Sequence, residues 1–377
     1  MSLQDFFQPV NIELADDQYG DKRLHQTIDI HTEQRFPDLD NAKVAIFGVH
    51  EDRRSEFNKG ATGSDRVRGF LYALHTYDLS LPLIDLGNIA PGHTVEDTDA
   101  AIKVVCQDLL KKDIIPLIIG GSQDLTYANY AAYEALEQTV NLVTVDHRLD
   151  FGEAGSSFTS TNYLNKIVLH QPNYLFNYSN IGHQRYLLEK DLIELMDKMY
   201  FDLYRLGEVN DNIVESEPAV RNADIISIDI SAIRHADAPG TEASGPNGLY
   251  AEHACQLSRY AGMSDKLSSF GIYEYNPELD PRGVTAHLIA QMIWCFLEGI
   301  TLRKGEYPIG SKEEFTKYIV DLSTSEHQLV FYKSARSDRW WMDVPYPAGK
   351  KNKYDRHHLV PCTYAEYQTA TQDDMPH

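Results

Sequence analysis

The sequence predicts an α/β fold in three layers, with a mostly parallel, doubly wound sheet between two layers of helices. Two observations support this prediction. Short apolar runs alternate with amphipathic stretches along most of the 377 residues, which is typical of strand–helix–strand units whose strands are parallel. Several of the runs, such as 114–119 and 225–230, are apolar on both faces, as expected for strands that helices cover on both sides.

Apolar runs and helical spacing predict the individual elements. Strands are predicted at residues 43–49, 82–86, 114–119, 141–146, 203–209, 225–230, 268–274 and 328–333. Residues 95–112, 186–200 and 284–299 have the apolar spacing of helices. The first of these places four apolar side chains on one face, those of Ile102, Val105, Cys106 and Leu109. Thr94 and Asp97 form a predicted capping box at its start.

One large domain accounts for most of the chain. No internal repeat or low-complexity linker interrupts residues 42–335, and a chain of this length can bury a single large core. Residues 1–41 are predicted to form an N-terminal segment. Residues 336–377 contain Trp340-Trp341 and a charged run, and they are predicted to form an aromatic-rich extension that packs on the domain.

Composition limits the kinds of partner and the cellular compartment that we expect for this protein. The 34 basic and 56 acidic residues give a net charge of −22, which disfavours nucleic acid and anionic membrane surfaces as partners. The N-terminus has no signal-peptide pattern, and no run of about 18 apolar residues suggests a membrane span. The cysteines are widely spaced without a Cys-x-x-Cys pair, which favours the reducing cytoplasm; they are Cys106, Cys255, Cys295 and Cys362.

Three polar stretches follow apolar runs and contain the candidate site residues. They are Gly120-Gly121-Ser122-Gln123, Asp146-His147-Arg148-Leu149-Asp150 and Ser227-Ile228-Asp229-Ile230-Ser231. In doubly wound sheets, ligands bind beyond the carboxyl ends of the strands. We therefore expect the three stretches to meet in one site.

The three stretches resemble the metal-binding motifs of the ureohydrolase superfamily, which includes arginase, agmatinase and formimidoylglutamase. Those motifs are Gly-Gly-x-His, Asp-Ala-His-x-Asp and Ser-x-Asp-x-Asp, and they supply the ligands of a dimanganese centre. Four more segments match in the same order, at residues 58–68, 84–87, 181–186 and 274–280. The segment at 181–186 resembles the formimidoylglutamase branch.

This resemblance spans residues 42–302 and has implications for fold and activity. It implies an arginase-like three-layer fold, and assembly as a homo-oligomer. It also implies hydrolysis of a C–N bond in a guanidino or formimino group by a hydroxide that bridges two metal ions.

Several metal-ligand positions differ from those of the family. Gln123 and Arg148 stand where the family has histidines, and Ser231 stands where it has an aspartate. The other ligand positions keep their aspartates, Asp146, Asp150 and Asp229. Arginine has no acceptor atom and does not lose its proton in proteins, so Arg148 cannot bind a metal and would repel one. The resemblance therefore implies that at least one of the two ions is lost.

Two arrangements of these residues remain open. In the first, Arg148 compensates the buried carboxylates of Asp146, Asp150 or Asp229 through charge-assisted hydrogen bonds, and no cofactor binds. In the second, Gln123, Asp146, Asp150 and Asp229 hold one hard ion, Mn²⁺, Mg²⁺ or Ca²⁺, through oxygen atoms. His147 follows Asp146 on a predicted strand, so its side chain is expected on the opposite face, away from any ion.

Further residues are candidates for lining a ligand pocket. Asn162 and Tyr163 lie in the loop that carries an acid/base histidine in some relatives, and residues 155–165 contain no histidine. His235 and Asp237 follow the third stretch in a loop that lies either at the pocket or on the surface. Glu274 matches the glutamate that faces the substrate in relatives, and here it holds a cationic ligand or pairs with an arginine.

Two functions are compatible with these residues. The first is that of a protein that has lost the dimanganese centre and the hydrolase activity and binds a small cationic metabolite or a protein partner, as in a larger assembly. The second is that of an active hydrolase with one metal ion, acting on a formimino or guanidino C–N bond. No Gly-x-Ser-x-Gly or Cys/His motif suggests a different nucleophile.

Overall fold

The computed structural model describes residues 2–11, 22–57, 63–153, 155–307, 312–322, 328–345 and 356–375. Part of the motif at 58–68 and part of the predicted C-terminal extension lie outside the described residues.

A ten-stranded sheet forms the centre of the described structure. Its strands are β1 (Phe7–Gln8), β2 (Ile28–Ile30), β3 (Val44–Val49), β4 (Leu83–Ile89), β5 (Ile115–Ile119), β6 (Val140–Val145), β7 (Leu175–His183), β8 (Asp202–Arg205), β9 (Ile225–Asp229) and β10 (Ser269–Tyr273). They lie in the order β1-β4-β3-β5-β10-β9-β6-β7-β8, and β2 also pairs with β4. The pairing of β1 with β4 is antiparallel, and the other described pairs are parallel.

Helices cover both faces of this sheet. They are α1 (Ser64–Ala73), α2 (Val95–Leu110), α3 (Leu125–Ala131), α4 (Tyr163–Val168), α5 (Lys190–Lys198), α6 (Leu206–Asp211), α7 (Glu217–Asn222), α8 (Ala251–Met263) and α9 (Val284–Thr301). Successive residues of β3 point into different cores. Val44 and Ile46 join the core with α1, α8 and α9, whereas Ala45 and Phe47 join the core with α2. The three-layer α/β prediction is confirmed.

Several individual elements also match their predictions. The apolar face of α2 is completely buried at Ile102, Val105, Cys106 and Leu109. The capping box is present, since the Asp97 amide donates to Thr94 Oγ1 at 3.2 Å and the Thr94 amide to Asp97 Oδ2 at 2.8 Å. Only the first part of the predicted strand at 203–209 is a strand, because β8 ends at Arg205 and α6 begins at Leu206.

By length and composition, α9 is the one helix in the described part of the chain that could cross a membrane. Within the protein, 61% of that 18-residue window is buried. It packs against α8 so closely that a Cβ on Gly262 would lie 2.1 Å from the Phe296 carbonyl oxygen. This burial is that of a core helix.

A second sheet follows the central domain. The described residues form four antiparallel strands in sequence order, β11 (Phe315–Asp321), β12 (Gln328–Ser334), β13 (Trp340–Asp343) and β14 (Leu359–Cys362). Helix α10 (Tyr364–Thr371) comes next, and the Tyr367 ring stacks on Trp340 with centroids 4.7 Å apart. The boundary predicted at residue 336 falls between β12 and β13 of this sheet.

The C-terminal sheet docks at the amino ends of the central strands. Arg221 of α7 donates to the carbonyl oxygens of Trp340 and Cys362 at 3.1 and 3.2 Å. Arg356 pairs with Asp224, immediately before β9, at 2.6 Å. The motif stretches follow the carboxyl ends of the same strands, so the C-terminal sheet and the candidate site lie at opposite edges of the central sheet.

His357 joins the two sheets. Its ring stacks on Phe176 with centroids 3.8 Å apart, and its Nε2 atom is 3.0 Å from Thr139 Oγ1. Burial, followed by the charges of Lys266 and Arg356, lowers the pKa of His357 to about 2. The histidine is therefore neutral in the folded protein at ordinary pH.

We expect mild acid to weaken this attachment. Folding lowers the pKa of His357, so the neutral histidine stabilises the folded protein at pH values above the unfolded pKa of about 6.5. This stabilisation is lost progressively as the pH falls from the unfolded pKa toward the folded pKa. The loss between about pH 7.5 and about pH 5 is roughly 2 kcal/mol.

Urea unfolding of the wild type and of His357→Gln at the two pH values measures this effect. Gln can still hydrogen-bond Thr139 but does not titrate, so the free-energy difference between the two proteins is expected to shrink by about 2 kcal/mol at the lower pH. A difference that stays constant with pH would contradict the assignment.

Candidate functional site

Four adjacent strands deliver the candidate site residues to one edge of the central sheet. Gln123 follows β5, Asp146 follows β6, Asp229 ends β9 and Glu274 follows β10. Because these strands are neighbours in the order β5-β10-β9-β6, their carboxyl ends converge. Two of these residues, Asp229 and Glu274, line a recess with about 260 Å³ of space, part of which is open solvent. Its lining residues are Phe57, His147, Arg148, Asp150, Ser160, Thr161, Asp229, Ala243 and Glu274.

The two glycines after β5 let this loop approach its neighbours. A Cβ on Gly121 would lie 1.8 Å from the Glu51 carbonyl oxygen, and one on Gly120 would lie 2.2 Å from the Tyr273 ring. The close approach allows the Ser122 amide to donate to the Glu51 carbonyl oxygen at 3.0 Å. Gln123 is thereby directed at the ends of the neighbouring strands.

The side-chain amide of Gln123 contacts two buried aspartates. One atom of its amide lies 3.0 Å from Asp146 Oδ2 and 3.0 Å from Asp150 Oδ2. With the amide nitrogen at this position, Gln123 donates one hydrogen bond to each carboxylate, and the hydrogen-bond network is satisfied. With the amide oxygen there, three oxygen atoms would converge, an arrangement that a cation would have to stabilise.

His147 lies inside the site, and the prediction that it points away is wrong. Its Nδ1 atom is 3.2 Å from Asp146 Oδ1 and 3.0 Å from Ser231 Oγ. Strand β6 ends at Val145, so residues 146–148 form a bend, where the alternation of strand side chains no longer holds.

Arg148 fixes the tautomer of this histidine. The Arg148 Nε–H donates to His147 Nε2 at 3.3 Å, and arginine can only donate. Nε2 is therefore the unprotonated nitrogen, and the proton of the neutral ring is on Nδ1, facing Asp146 and Ser231. This places a second donor beside Asp146, whose Oδ1 also accepts the Arg148 backbone amide at 2.8 Å.

The predicted ion pair between Arg148 and the carboxylates is absent. Among the described residues, Arg148 forms no salt bridge with Asp146, Asp150 or Asp229. Its guanidinium instead lies over the Phe57 ring, 5.4 Å from the centroid. The turn after β6 directs the side chain toward the mouth of the recess, where it remains partly exposed.

Buried carboxylates dominate the electrostatics of the site. Burial and then the charge of Asp146 raise the pKa of Asp150 well above its usual range. The same two causes, partly offset by His147, raise the pKa of Asp229 to about 7. Asp150 and Glu274 also have positive φ angles of 42° and 64°, which non-glycine residues adopt rarely and which recur at functional sites.

Glu274 is held by the protein on both oxygens. The Gln123 backbone N–H donates to Oε1 at 2.9 Å and the Ser55 hydroxyl donates to Oε2 at 3.1 Å. Ser55 is positioned by its neighbour Arg54, which pairs with Asp99 at 2.7 Å. Glu274 therefore belongs to the wall of the recess, with its carboxylate oriented before any ligand arrives.

The other predicted pocket residues serve other contacts. Asn162 binds its own loop through the Ser157 carbonyl oxygen at 2.7 Å and the Thr159 amide at 2.9 Å. Tyr163 is buried in the core behind Asp150. His235 is exposed beside Ser244, at 2.9 Å, and Asp237 pairs with Arg234 at 2.7 Å. None of the four lines the described recess.

The recess contains residues that the sequence motifs do not indicate. Phe57, Ser160, Thr161 and Ala243 lie in loops and match no chemical motif. Ser160 and Thr161 directly precede the predicted pair Asn162 and Tyr163, so the loop is the predicted one, but the side chains that line the recess lie two positions earlier.

The fit of a metal ion differs between the two sides of Asp146. On one side, the ligand atoms of Asp146, His147 and Asp229 all lie within 4.8 Å of one another, a spacing that suits one ion. The nitrogen ligand there would come from His147. In the ureohydrolase motif the histidine is at the next position, which is Arg148 in this chain. On the other side, only oxygen and amide groups are present, from Gln123, Asp146 and Asp150.

We expect Gln123 to contribute more to stability than Arg148 in metal-free buffer. Gln123→Leu removes the side-chain amide that donates to Asp146 Oδ2 and Asp150 Oδ2, and the loss of these buried hydrogen bonds costs about 1–3 kcal/mol. Arg148→Ala removes a partly exposed cation–π contact and is expected to cost no more than about 1 kcal/mol.

Urea unfolding with a chelator present measures both free energies of unfolding. The reverse order, with a loss of about 3–5 kcal/mol for Arg148→Ala, would show that the arginine compensates the carboxylates after all.

The central domain of this chain is similar to known proteins. Residues 42–298 match the model of the arginase family. Formimidoylglutamase of Lysinibacillus sphaericus is 24% identical over 295 residues, which cover 74% of this chain and 91% of the relative. Formimidoylglutamase of Staphylococcus aureus is 26% identical over 268 residues, which cover 68% and 86%.

Solved structures show the same fold. The crystal structure of Trypanosoma cruzi formiminoglutamase with Mn²⁺ superposes with a TM-score of 0.67 at 21% identity, covering 75% of this chain and all of that one (100%). The formimidoylglutamase of Bacillus subtilis superposes with a TM-score of 0.67 at 20% identity, covering 78% and 97%. With its family match across the central domain, this chain belongs to the arginase family.

Proposed function

We propose that this protein has replaced the two-metal centre of its family with hydrogen-bond donors, and that it binds a small ligand without hydrolysing it. The donors around Asp146 are the observation that carries the proposal. The Gln123 side-chain amide contacts Oδ2 of Asp146. The Arg148 backbone amide and the His147 Nδ1–H contact Oδ1. In the family motif this aspartate belongs to both ion positions, so donors at both of its oxygens compete with both ions.

Arg148 adds a second argument for the same proposal. Its guanidinium is a positively charged group, and it lies next to His147 in the recess. A fixed positive charge at this place repels a divalent cation, while the tautomer it selects turns an N–H toward Asp146. Neither the charge nor the proton favours metal binding.

The recess favours a small ligand with a cationic group. Its enclosed space of about 10 Å³ is close to what a single water molecule needs, so only a small group of a ligand fits there without side-chain movement. Asp150, Asp229 and Glu274 form an acidic wall, which suits an ammonium, amidino or guanidino group. The narrowness of the recess argues against a macromolecule entering here.

Protein partners are a separate part of the proposal. We propose that the chain works in the cytoplasm as a homo-oligomer or within a larger assembly. A partner bound at the C-terminal sheet would leave the recess open, because the two lie at opposite edges of the central sheet.

The cluster of Asp146, His147 and Asp229 favours a second candidate, a hydrolase with one metal ion. A bound ion would lower the pKa of a water molecule and orient it toward a C–N bond. His147 can contribute Nδ1 as a ligand only if its proton moves to Nε2, and the Arg148 guanidinium would then have to leave Nε2. In that case Asp146, His147 and Asp229 would hold the ion, and Glu274 would bind the cationic group of the substrate.

Metal content separates the two candidates. We expect the wild type, purified with Mn²⁺ and without chelator, to contain no stoichiometric metal by mass spectrometry and to leave formimino and guanidino compounds intact. Arg148→Ala is expected to gain up to one ion per chain, because it removes a positive charge and frees His147 Nε2 for a proton.

The variant Gln123→His/Arg148→His/Ser231→Asp is the positive control, because it restores the ligand types of the family motif. One ion and hydrolysis in the wild type would replace the first candidate with the second. Two ions in the wild type would contradict both.

Ligand binding is tested by calorimetric titration with small ammonium, amidino and guanidino compounds. We expect saturable binding that Asp229→Asn weakens by about tenfold, which corresponds to the loss of one charge-assisted hydrogen bond. Lys103→Ala, which breaks a surface ion pair on α2, serves as the control and is expected to bind like the wild type. Absence of binding by every compound would contradict the small-ligand proposal.

A further inference from the structure

Two cysteines meet in a second pocket, away from the candidate site. Cys255 of α8 and Cys295 of α9 both line a pocket with about 1,080 Å³ of space open to solvent. Its other lining residues are Leu74, His75, Tyr77, Gln291, Trp294 and Glu298. The two remaining cysteines, Cys106 and Cys362, are buried in separate apolar cores.

The packing of the two helices brings these thiols together. Gly262 and Gly299 allow an unusually close contact, since a Cβ on Gly262 would lie 2.9 Å from the Gly299 Cα. Arg259 and Glu298 pair across the same interface at 2.8 Å. Close helix axes are what a disulfide requires, because its Cα atoms are usually about 4.4–6.8 Å apart.

We propose that Cys255 and Cys295 are a redox-active dithiol that reacts with a low-molecular-weight disulfide and closes a disulfide bond between α8 and α9. The pocket supplies access for the small disulfide, and Trp294 and Gln291 line it beside the two cysteines. This modification site is independent of the function proposed for the recess.

The chemical environment assigns a role to each sulfur. A hydrogen-bond interaction from Cys255 lowers the pKa of the Cys295 thiol, which favours Cys295 over Cys255 as the attacking group. The same interaction, and then burial, raises the pKa of Cys255, which makes it the resolving thiol. Burial raises the pKa of Cys362 to about 12, so that residue is an unreactive reference.

The reaction balances as an exchange with a disulfide R–S–S–R. The Cys295 thiolate attacks one sulfur and forms a mixed disulfide, and R–S⁻ leaves and takes up a proton. Cys255 then loses its proton and attacks the Cys295 sulfur, and the second R–S⁻ leaves. Two protein thiols are oxidised to one disulfide, and R–S–S–R is reduced to two thiols.

Peptide mapping of the full-length, folded protein tests this proposal. The protein is incubated with oxidised glutathione, treated with N-ethylmaleimide, unfolded and digested. We expect a disulfide-linked pair of peptides that contain Cys255 and Cys295, while Cys106 and Cys362 are recovered as thiols. Maleimide on both Cys255 and Cys295 after this treatment, or a glutathione adduct that persists on Cys295, would overturn the proposal.

Single variants test the order of the two steps. Cys255→Ser is expected to trap glutathione on Cys295, and Cys295→Ser is expected to leave Cys255 unmodified. Cys362→Ala is the matched control, and we expect it to form the cross-link as the wild type does. Equal glutathione adducts in the two Ser variants would overturn the assignment of Cys295 as the attacking thiol. The wild-type result stands even if one variant fails to fold by circular dichroism.

Discussion

The convergence of buried aspartates at one edge of the central sheet is the constraint on which this structure depends. Asp146 follows β6 and Asp229 ends β9, and these strands are hydrogen-bonded neighbours. Both carboxylates are less than one-tenth exposed. Placing like charges this close in a dry site costs free energy unless cations or hydrogen-bond donors compensate them, so the chemistry of the site follows from the kind of compensation.

We propose that in this protein the compensating groups come from the chain itself. An amide, a backbone N–H and a neutral imidazole N–H surround Asp146, whereas Arg148 acts one step away by selecting the tautomer of His147. Neutral donors satisfy a carboxylate without supplying the Lewis acid that activates water. Under this proposal, the scaffold of a hydrolase family persists as a small acidic recess that recognises a ligand.

The sequence predicts the position of the site better than its internal contacts. Asp146, Asp229 and Glu274 follow strong apolar runs, and the rule that ligands bind at carboxyl strand ends places them together. The orientation of His147 depends on where β6 stops, and one residue of difference reverses the face of a side chain. Strand β7 is not predicted, because Asn177, Ser179 and Asn180 interrupt its apolar pattern. Phe57 and Ala243 reach the recess through loop geometry that no local pattern encodes.

Anomalous X-ray diffraction from crystals of the wild type grown with Mn²⁺ tests the central claim most directly. The account predicts no manganese peak on either side of Asp146, with the Gln123 amide nitrogen between Asp146 and Asp150. A peak beside Asp146, His147 and Asp229 would contradict the metal-free site and establish the single-ion alternative. A peak between Gln123, Asp146 and Asp150 would show that the glutamine is a metal ligand and that its amide oxygen faces the carboxylates.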